Sequence, residues 1–262
     1  MIKQIDQVLR YLLYYVQAEN RHDLQAPFIY HLNEAVFRTD SSDHICDAIE
    51  LHRKELLRND KIIRVRDFGA GFSGVKYNER KVSYIVANSS KPPRYARLLY
   101  RLVKYLHPEY LLELGTSAGI SALYQAAANP QGKLITLEGC ENTAALAQYS
   151  FNKFPDLSIE LIQGSFDETL KPALEMLPRL DYLFIDGNHR LEPTLNYFNE
   201  CLSKMHDHSV IIIDDINWSK EMREAWTQIK AHPRVTISID LFMLGIVFIN
   251  PGFSKQEFSI RY

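Results

Sequence analysis

The chain has 262 residues, of which 46% are hydrophobic, and its formal net charge at pH 7 is −2. This length suffices for one large core with a small appendage, and the near-neutral charge provides no overall attraction to nucleic acid. No apolar run is long enough to span a membrane, the first residues lack the pattern of a signal peptide, and the three cysteines lack paired or metal-ligand spacing. We therefore expect a cytoplasmic protein without nucleic-acid or membrane partners.

The first part of the chain, residues 1–90, is predicted to be a mainly helical cap domain. Apolar residues recur at helical spacing over 2–16 and over 45–57, the second run following a serine cap at 41–42. A proline opens a further short helix over 27–37. The apolar face of each helix must be buried against the sheet domain, against another helix, or against a second subunit, so a homodimer is one of three ways to cover it.

A glycine-rich segment at 69–74, GAGFSG, satisfies the dinucleotide-binding pattern literally. The residues after it are rich in charge and lack a helical apolar stripe, so no helix N-terminus is offered to a phosphate. The prediction is therefore a glycine-rich loop, although a nicotinamide-dependent oxidoreductase would use it as a phosphate loop. A helix over 91–107 then opens the second predicted domain, residues 91–262.

The segment from 111 to 138 has the pattern of a nucleotide-cofactor site, reading LLELGTSAGISALYQAAANPQGKLITLE. A short apolar run predicts a buried strand, Gly115 and Gly119 bracket a turn, and a helix and a second strand follow. Glu138 ends that strand, where an acid accepts hydrogen bonds from ribose hydroxyls. The three residues between the glycines differ from the spacing that a pyrophosphate needs, which favours a cofactor of another kind.

The remaining sequence alternates strand-like apolar runs with amphipathic helical segments. Strands are predicted at 158–162, 180–186 and 208–214, and the alternation implies a mostly parallel sheet covered on both faces. The runs at 235–240 and 242–250 are joined too closely for a helical crossover, so the last strand is predicted to run antiparallel.

Acidic residues stand at the ends of two of these strands. Asp186 follows one strand, and Asp214 with Asp215 follow the next. Because ligands of open α/β sheets bind beyond the carboxyl ends of the strands, these acids are expected to converge in a cleft, where a divalent cation would relieve their repulsion. The alternative is that each acid only caps the helix that follows it.

The order of ELGTSAG, LITLE, GSFD, LDYLFIDGNH and IIIDDINW over residues 105–250 resembles the class I S-adenosylmethionine (SAM) dependent methyltransferases. The resemblance is strongest to the metal-dependent catechol-type and sugar O-methyltransferases, in which acids after two neighbouring strands hold a magnesium ion. Asp214 lies 28 residues after Asp186, the separation that those families use. The resemblance implies a Rossmann-like sheet, SAM as the cofactor, and Mg²⁺ or another divalent cation held by Asp186, Asp214 and Asp215.

Positions that match the family motifs receive roles by resemblance. The turn would line the methionine part of SAM, Ser121 would meet its carboxylate, Glu138 the ribose, and Ser165 with Phe166 the adenine. The cofactor positions are Glu113, Gly115, Thr116, Ser117, Gly119, Ser121, Glu138, Ser165, Phe166 and Asp186. For Phe166, anchoring of the next helix in the core is an equal alternative.

The chain departs from both families at the position of the general base. Where the relatives carry a lysine or a carboxylate, this sequence has His189 and Asn188. Only the imidazole takes a proton near physiological pH, so His189 is the predicted base, acting beside Asp186 on an acceptor hydroxyl. The predicted reaction is methyl transfer to an oxygen of a small-molecule acceptor. A SAM-binding protein without turnover remains an alternative, and Trp218 is either a wall of the acceptor pocket or a core residue.

Overall fold

The computed structural model describes residues 2–19, 26–39, 43–67 and 76–262. The predicted serine cap at 41–42 and the glycine-rich loop at 69–74 lie outside the described residues. Within the described ranges, no helix is both long and apolar enough to cross a lipid bilayer.

From residue 110 onward the strands and helices alternate as predicted, whereas the strands at 62–67 and 76–81 lie in the part predicted to be mainly helical. The helices are α1 Ile2–Gln17, α2 Pro27–Leu32 with a π-helical turn Asn33–Phe37, α3 His44–Leu56, α4 Val82–Ser89, α5 Pro93–Leu106, α6 Ile120–Ala128, α7 Glu141–Phe151, α8 Phe166–Glu175, α9 Leu191–Leu202 and α10 Lys220–Ala231. The strands are β1 Ile62–Asp67, β2 Lys76–Lys81, β3 Tyr110–Leu114, β4 Lys133–Glu138, β5 Ile159–Gln163, β6 Leu180–Ile185, β7 Met205–Asp214, β8 Ile237–Asp240, β9 Leu244–Phe248 and β10 Gln256–Ser259.

The main sheet has eight strands and is mostly parallel, and β1 and β2 form a separate antiparallel pair. Strand β9 runs antiparallel to both β7 and β8, which confirms the predicted antiparallel strand at this end of the sheet. Strand β10 was not predicted. It pairs parallel with β8 and has only four residues, three of them polar, so it lacks an apolar run.

The contacts within the chain divide it into two compact units. Unit one comprises Met1–Phe37 with Arg179–Tyr262, and unit two comprises Arg38–Pro178. Within the main sheet, unit one holds the strand order β10-β8-β9-β7-β6 and unit two the order β3-β4-β5. This division by contacts differs from the predicted domain boundary between residues 90 and 91, which stays a prediction.

Unit two contains a buried carboxyl group on its strand β3. Glu113 on β3 is fully buried, and its side chain accepts hydrogen bonds from Gln125 on α6 at 2.8 Å and from Thr136 on β4 at 2.6 Å. Burial raises the pKa of Glu113 to about 7, although hydrogen bonds from Ser121, Thr136 and Gln125 oppose the shift. The group therefore links both strands to the helix, at the cost of keeping a carboxyl out of water.

This buried carboxyl predicts a pH-dependent stability. In the unfolded chain Glu113 ionises near pH 4.5, whereas in the folded chain it keeps its proton until about pH 7. The folded state therefore binds more protons between these values, and this contribution to stability is present below pH 4.5 and is lost as the pH rises to 7, by up to about 3 kcal/mol. Glu113→Gln removes the titrating group, so the unfolding free energy of the wild type, taken relative to that of the variant, should fall as the pH rises through this window. Denaturant unfolding from pH 4.5 to 8 measures it.

The exposed Glu175→Gln on α8 is the matched control for this measurement, and its stability should follow that of the wild type at every pH. Parallel curves for wild type and Glu113→Gln would show that Glu113 does not carry the raised pKa.

Candidate active site

The turn between β3 and α6 has the backbone conformation that the glycine spacing predicts. Gly115, Ser117 and Gly119 all have positive φ, at 106°, 50° and 82°. At Gly119 a Cβ would also lie 2.7 Å from the ring of Phe151, so this position requires glycine for two independent reasons. The turn is tied to β4 by hydrogen bonds that the backbone N–H groups of Gly115 and Thr116 donate to the carbonyl of Leu137.

The carboxylate of Glu138 holds the turn from the end of β4. One oxygen accepts the N–H of Ser117 at 2.8 Å, and the other accepts the N–H of Cys140 at 2.9 Å. Burial raises the pKa of Glu138, and the backbone hydrogen bonds oppose this effect. Each carboxylate oxygen has a second lone pair, so the group can still accept bonds from a ligand's hydroxyls.

The predicted cofactor residues around the turn differ in their access to a ligand. Thr116 is buried and its hydroxyl lies 2.6 Å from that of Thr136, while the buried Ser121 hydrogen-bonds Glu113. Together with Glu113 these side chains support the turn from inside the unit. Ser117 is half-buried as a residue, but its hydroxyl oxygen is buried and has no hydrogen-bond partner among the residues described. The backbone of the turn and Glu138 are therefore the groups suited to meeting a polar cofactor, and the Ser117 hydroxyl is a polar group whose hydrogen bonding is not yet satisfied.

The GSFD segment lies at the start of α8. Ser165 precedes the helix, and the Glu168 carboxylate accepts both its hydroxyl at 2.7 Å and its backbone N–H at 3.3 Å. The second of these bonds belongs to the capping box of α8. Phe166, the first residue of the helix, is half-buried rather than fully enclosed. The assignment of both residues to the adenine stays a prediction.

In unit one, the pairing of β6 with β7 brings two acids close together. Ile185 stands opposite Ile213, so the next residues along the parallel strands, Asp186 and Asp214, are neighbours at the carboxyl ends. His189 completes a group with these two acids, because one ligand atom from each residue lies within 4.8 Å of the others. Asp214 is 1% exposed, and the side chains of Asp186 and His189 are 11% and 26% exposed.

Asp215, the third predicted metal ligand, does not belong to this group. Its backbone has φ 54°, and its carbonyl accepts the N–H of Trp218 at 2.9 Å, so the chain turns away directly after Asp214. Trp218 is 61% exposed, which makes the core-packing alternative wrong for this residue. Asn188, also with positive φ, donates to the hydroxyl of Tyr197 at 3.2 Å.

The residues that come together fit a divalent cation. Two carboxylates and one imidazole supply three donors of the kind that hold such ions, and two of the three are almost removed from solvent. The sequence predicts His189 as the general base, whereas the structure places it in the group of possible metal ligands. The available signal was its position three residues after Asp186, in the loop that follows the strand.

Comparison with known proteins places this architecture in a family. Residues 112–216, which include the turn, Glu138 and both strand-end acids, match a family described as a methyltransferase domain. A transmembrane O-methyltransferase homolog of Rattus norvegicus is 30% identical over 179 residues, 58% of this chain and 67% of the relative. A catechol O-methyltransferase of Niastella koreensis is 30% identical over 137 residues, 48% of this chain and 58% of the relative.

Solved structures share the fold at low sequence identity. An O-methyltransferase from Bacillus cereus in complex with S-adenosylhomocysteine (SAH) has a TM-score of 0.56 and 18% identity, covering 83% of this chain and 95% of its own. The O-methyltransferase TomG of Streptomyces achromogenes, in complex with SAM, has a TM-score of 0.59 and 16% identity over 85% and 95%.

These matches overturn the alternative of a nicotinamide-dependent oxidoreductase. The predicted family, its sheet and the predicted type of enzyme are confirmed. The chain belongs to the class I SAM-dependent methyltransferases and, within them, to the O-methyltransferases.

Proposed function

We propose that this O-methyltransferase moves the methyl group of SAM to an oxygen of a small-molecule acceptor with the assistance of a divalent cation. The observation that carries the metal-dependent part is the group formed by Asp186, His189 and Asp214 at the ends of β6 and β7. In an open α/β sheet the carboxyl ends of the strands are where ligands bind.

For SAM, we propose that the turn 115–119 receives the methionine part and that Glu138 accepts the ribose hydroxyls. The support is a left-handed turn held by Glu138 and a Ser117 hydroxyl without a partner among the described side chains. Glu113, Thr116 and Ser121 then act mainly by holding the turn in shape, since all three are buried. Ser165 and Phe166 are proposed to flank the adenine, with Asp186 next to the cofactor.

In the transfer, a lone pair of the acceptor oxygen forms the new C–O bond while the C–S bond breaks and its electrons return to sulfur, which leaves neutral SAH. The hydroxyl proton of the acceptor must leave during this step. A bound divalent cation supplies Lewis acidity, which lowers the pKa of that hydroxyl. The protein supplies orientation: Asp186 and Asp214 would hold the cation, and the turn would fix the methyl donor.

His189 has two candidate roles in this scheme. It was predicted as the base that takes the acceptor proton, and its Nε2 lies 3.7 Å from Oδ1 of Asp186, within the ligand group. One nitrogen cannot coordinate a cation and accept a proton at the same time. The two roles therefore make opposite predictions about metal binding.

We further propose that the protein acts in the cytoplasm, on small molecules, without nucleic-acid or membrane partners. The formal charge of −2 and the three free cysteines, Cys46, Cys140 and Cys201, support this proposal. The Niastella koreensis relative makes catechol a rational first acceptor to try.

The cofactor site is tested by Glu138→Ala. The substitution removes the acceptor for the ribose hydroxyls and releases the N–H of Ser117, so we expect SAH affinity to fall more than tenfold, a loss of about 1.5 to 3 kcal/mol. Isothermal titration calorimetry with SAH measures the change. Glu175→Ala, an exposed acid of the same unit, should bind SAH as the wild type does. Equal affinities for wild type and Glu138→Ala would refute the assignment.

Metal assistance is tested by Asp214→Asn together with removal of divalent cations by a chelator. Methyl transfer from labelled SAM to catechol, or to an acceptor found by screening with the same label, should fall at least a hundredfold in each case, because the acceptor hydroxyl loses a Lewis acid worth several kcal/mol. Asp207→Asn, an exposed acid on the same strand, should keep full activity. Because Asp214 is buried, SAH binding by the variant should be checked as evidence of folding. Full activity in chelator and in the folded variant would refute metal assistance.

A further inference from the structure

We infer that His189 is a metal ligand rather than the general base, and that the site selects Zn²⁺ or Co²⁺ over Mg²⁺. This inference rests on the proposed metal-assisted function and specifies its ion. The group that the structure brings together has an imidazole as its third member, whereas Asp215, the third predicted ligand, does not belong to it.

The distance between His189 and Asp186 fits shared coordination better than a hydrogen bond. Nε2 and Oδ1 are 3.7 Å apart, whereas an N–H···O hydrogen bond spans about 2.7 to 3.2 Å. Two ligands bound to one cation at about 2.0 to 2.2 Å lie roughly 3 to 4 Å from each other. A base oriented by Asp186 would be expected at the shorter distance, and two ligands of one ion at the observed one.

Burial provides a second, independent observation. Asp214 is 1% exposed and Asp186 is 11% exposed, and the two acids sit at neighbouring ends of paired strands. Two carboxylates held close together with so little water repel each other strongly unless a cation lies between them. A third donor that is neutral adds affinity for the cation without adding repulsion.

The donor set decides which cation fits. Mg²⁺ prefers oxygen ligands and keeps several waters, whereas an imidazole nitrogen suits Zn²⁺ and related transition metals. Three protein ligands with remaining positions open is also the arrangement of catalytic zinc sites, where the open position receives water or substrate. Three protein ligands would leave positions on the cation for acceptor oxygens.

The test is calorimetric titration of the metal-free protein with Zn²⁺, Co²⁺ and Mg²⁺ separately, for wild type, His189→Ala and His208→Ala. Loss of one of three ligands should weaken Zn²⁺ and Co²⁺ binding at least tenfold in His189→Ala, and the preference over Mg²⁺ should shrink accordingly. His208 is an exposed histidine of the same unit, so His208→Ala should leave all affinities unchanged. The visible spectrum of the Co²⁺ complex should also change in His189→Ala, because a nitrogen ligand is lost.

Unchanged Zn²⁺ and Co²⁺ affinity in His189→Ala would overturn the inference and leave His189 available as the base, with metal assistance intact. Failure of the wild type to bind any of the three cations would overturn both the inference and metal assistance. SAH titration of the same samples reports separately on the cofactor site, so neither outcome would be confused with loss of the methyltransferase function.

A second inference concerns α1, whose outward face is apolar. Five aliphatic side chains on this helix are between 53% and 78% exposed: Val8, Leu9, Leu12, Leu13 and Val16. The helix attaches to its own unit through a different face, where the rings of Tyr11 and Tyr14 contact Phe242 with centroids 5.0 and 5.4 Å away and Tyr14 donates to the carbonyl of Ile260. Its aliphatic stripe is therefore not what holds it in place.

The spacing of the stripe is that of a coiled-coil seam. Leu9, Leu12 and Val16 continue a sequence pattern that begins with isoleucines at 2 and 5, so apolar residues recur at alternating intervals of three and four. At roughly 100 Å² of apolar surface for each of the five exposed side chains, two copies would bury about 1,000 Å², which reaches the lower limit of a specific interface. We propose that a second copy of α1 covers this face.

Charge favours a second copy over a lipid surface. Helices that lie on membranes carry many Lys and Arg residues, whereas α1 has only Lys3 and Arg10, and Arg10 is paired with Asp6 at 2.8 Å. The helix therefore offers almost no net charge to anionic lipid headgroups, while its apolar stripe matches an identical stripe.

Sedimentation equilibrium of the full chain over a range of concentrations tests this interface. The wild type should be a dimer, and a Leu9→Glu, Leu12→Glu double variant should be a monomer, because four like charges would meet in the seam. Gln17→Glu, which adds charge at an exposed position of the same helix, should remain a dimer. A wild type that is monomeric at every concentration would overturn the proposal, as would a monomer that cosediments with anionic phospholipid vesicles.

Discussion

The proposed cofactor site of this protein depends on the hydrogen bonds of Glu138. Its carboxylate accepts one backbone N–H from the turn after β3 and another from the residues after β4. That arrangement fixes a turn in which three residues have positive φ, and Ser117 is the one of them that is not a glycine, so only its backbone is strained. Beneath it, the buried Glu113 connects β3, β4 and α6 through hydrogen bonds. A short segment of backbone is thereby pre-organised for a ligand, and the cost of ordering it is met during folding rather than during binding.

The proposed metal site follows from strand pairing rather than from a pre-formed turn. Parallel pairing of β6 with β7 makes Asp186 and Asp214 neighbours, and the loop after β6 adds His189. Each unit therefore contributes its own chemistry, the first a candidate metal centre and the second a candidate cofactor site. Because the two sites are built from different segments of the chain, the loop after β6 can change without disturbing the turn after β3.

Much of this architecture could be predicted because it depends on local sequence. Buried parallel strands are continuous apolar runs, and acids at the ends of such strands can be recognised from the sequence. The glycines at 115 and 119 occupy positions with positive φ. Other features depend on geometry that a sequence does not display. Asp215 has a left-handed backbone and lies outside the ligand group, His189 belongs to that group, and β10 is too short and polar to be recognised from the sequence. Likewise, periodicity predicted α1 as an amphipathic helix but not that tyrosines would hold it while the aliphatic face points outward.

A crystal structure of the full chain with SAH tests the central claim most directly, namely that the Glu138-held turn is the cofactor site. We expect the methionine part of SAH to lie against the backbone of residues 115–119 and both ribose hydroxyls to lie within hydrogen-bond distance of the Glu138 carboxylate. The hydrogen bond from the Ser117 N–H to Glu138 should be retained. SAH bound elsewhere, or bound with the ribose directed away from Glu138, would contradict it.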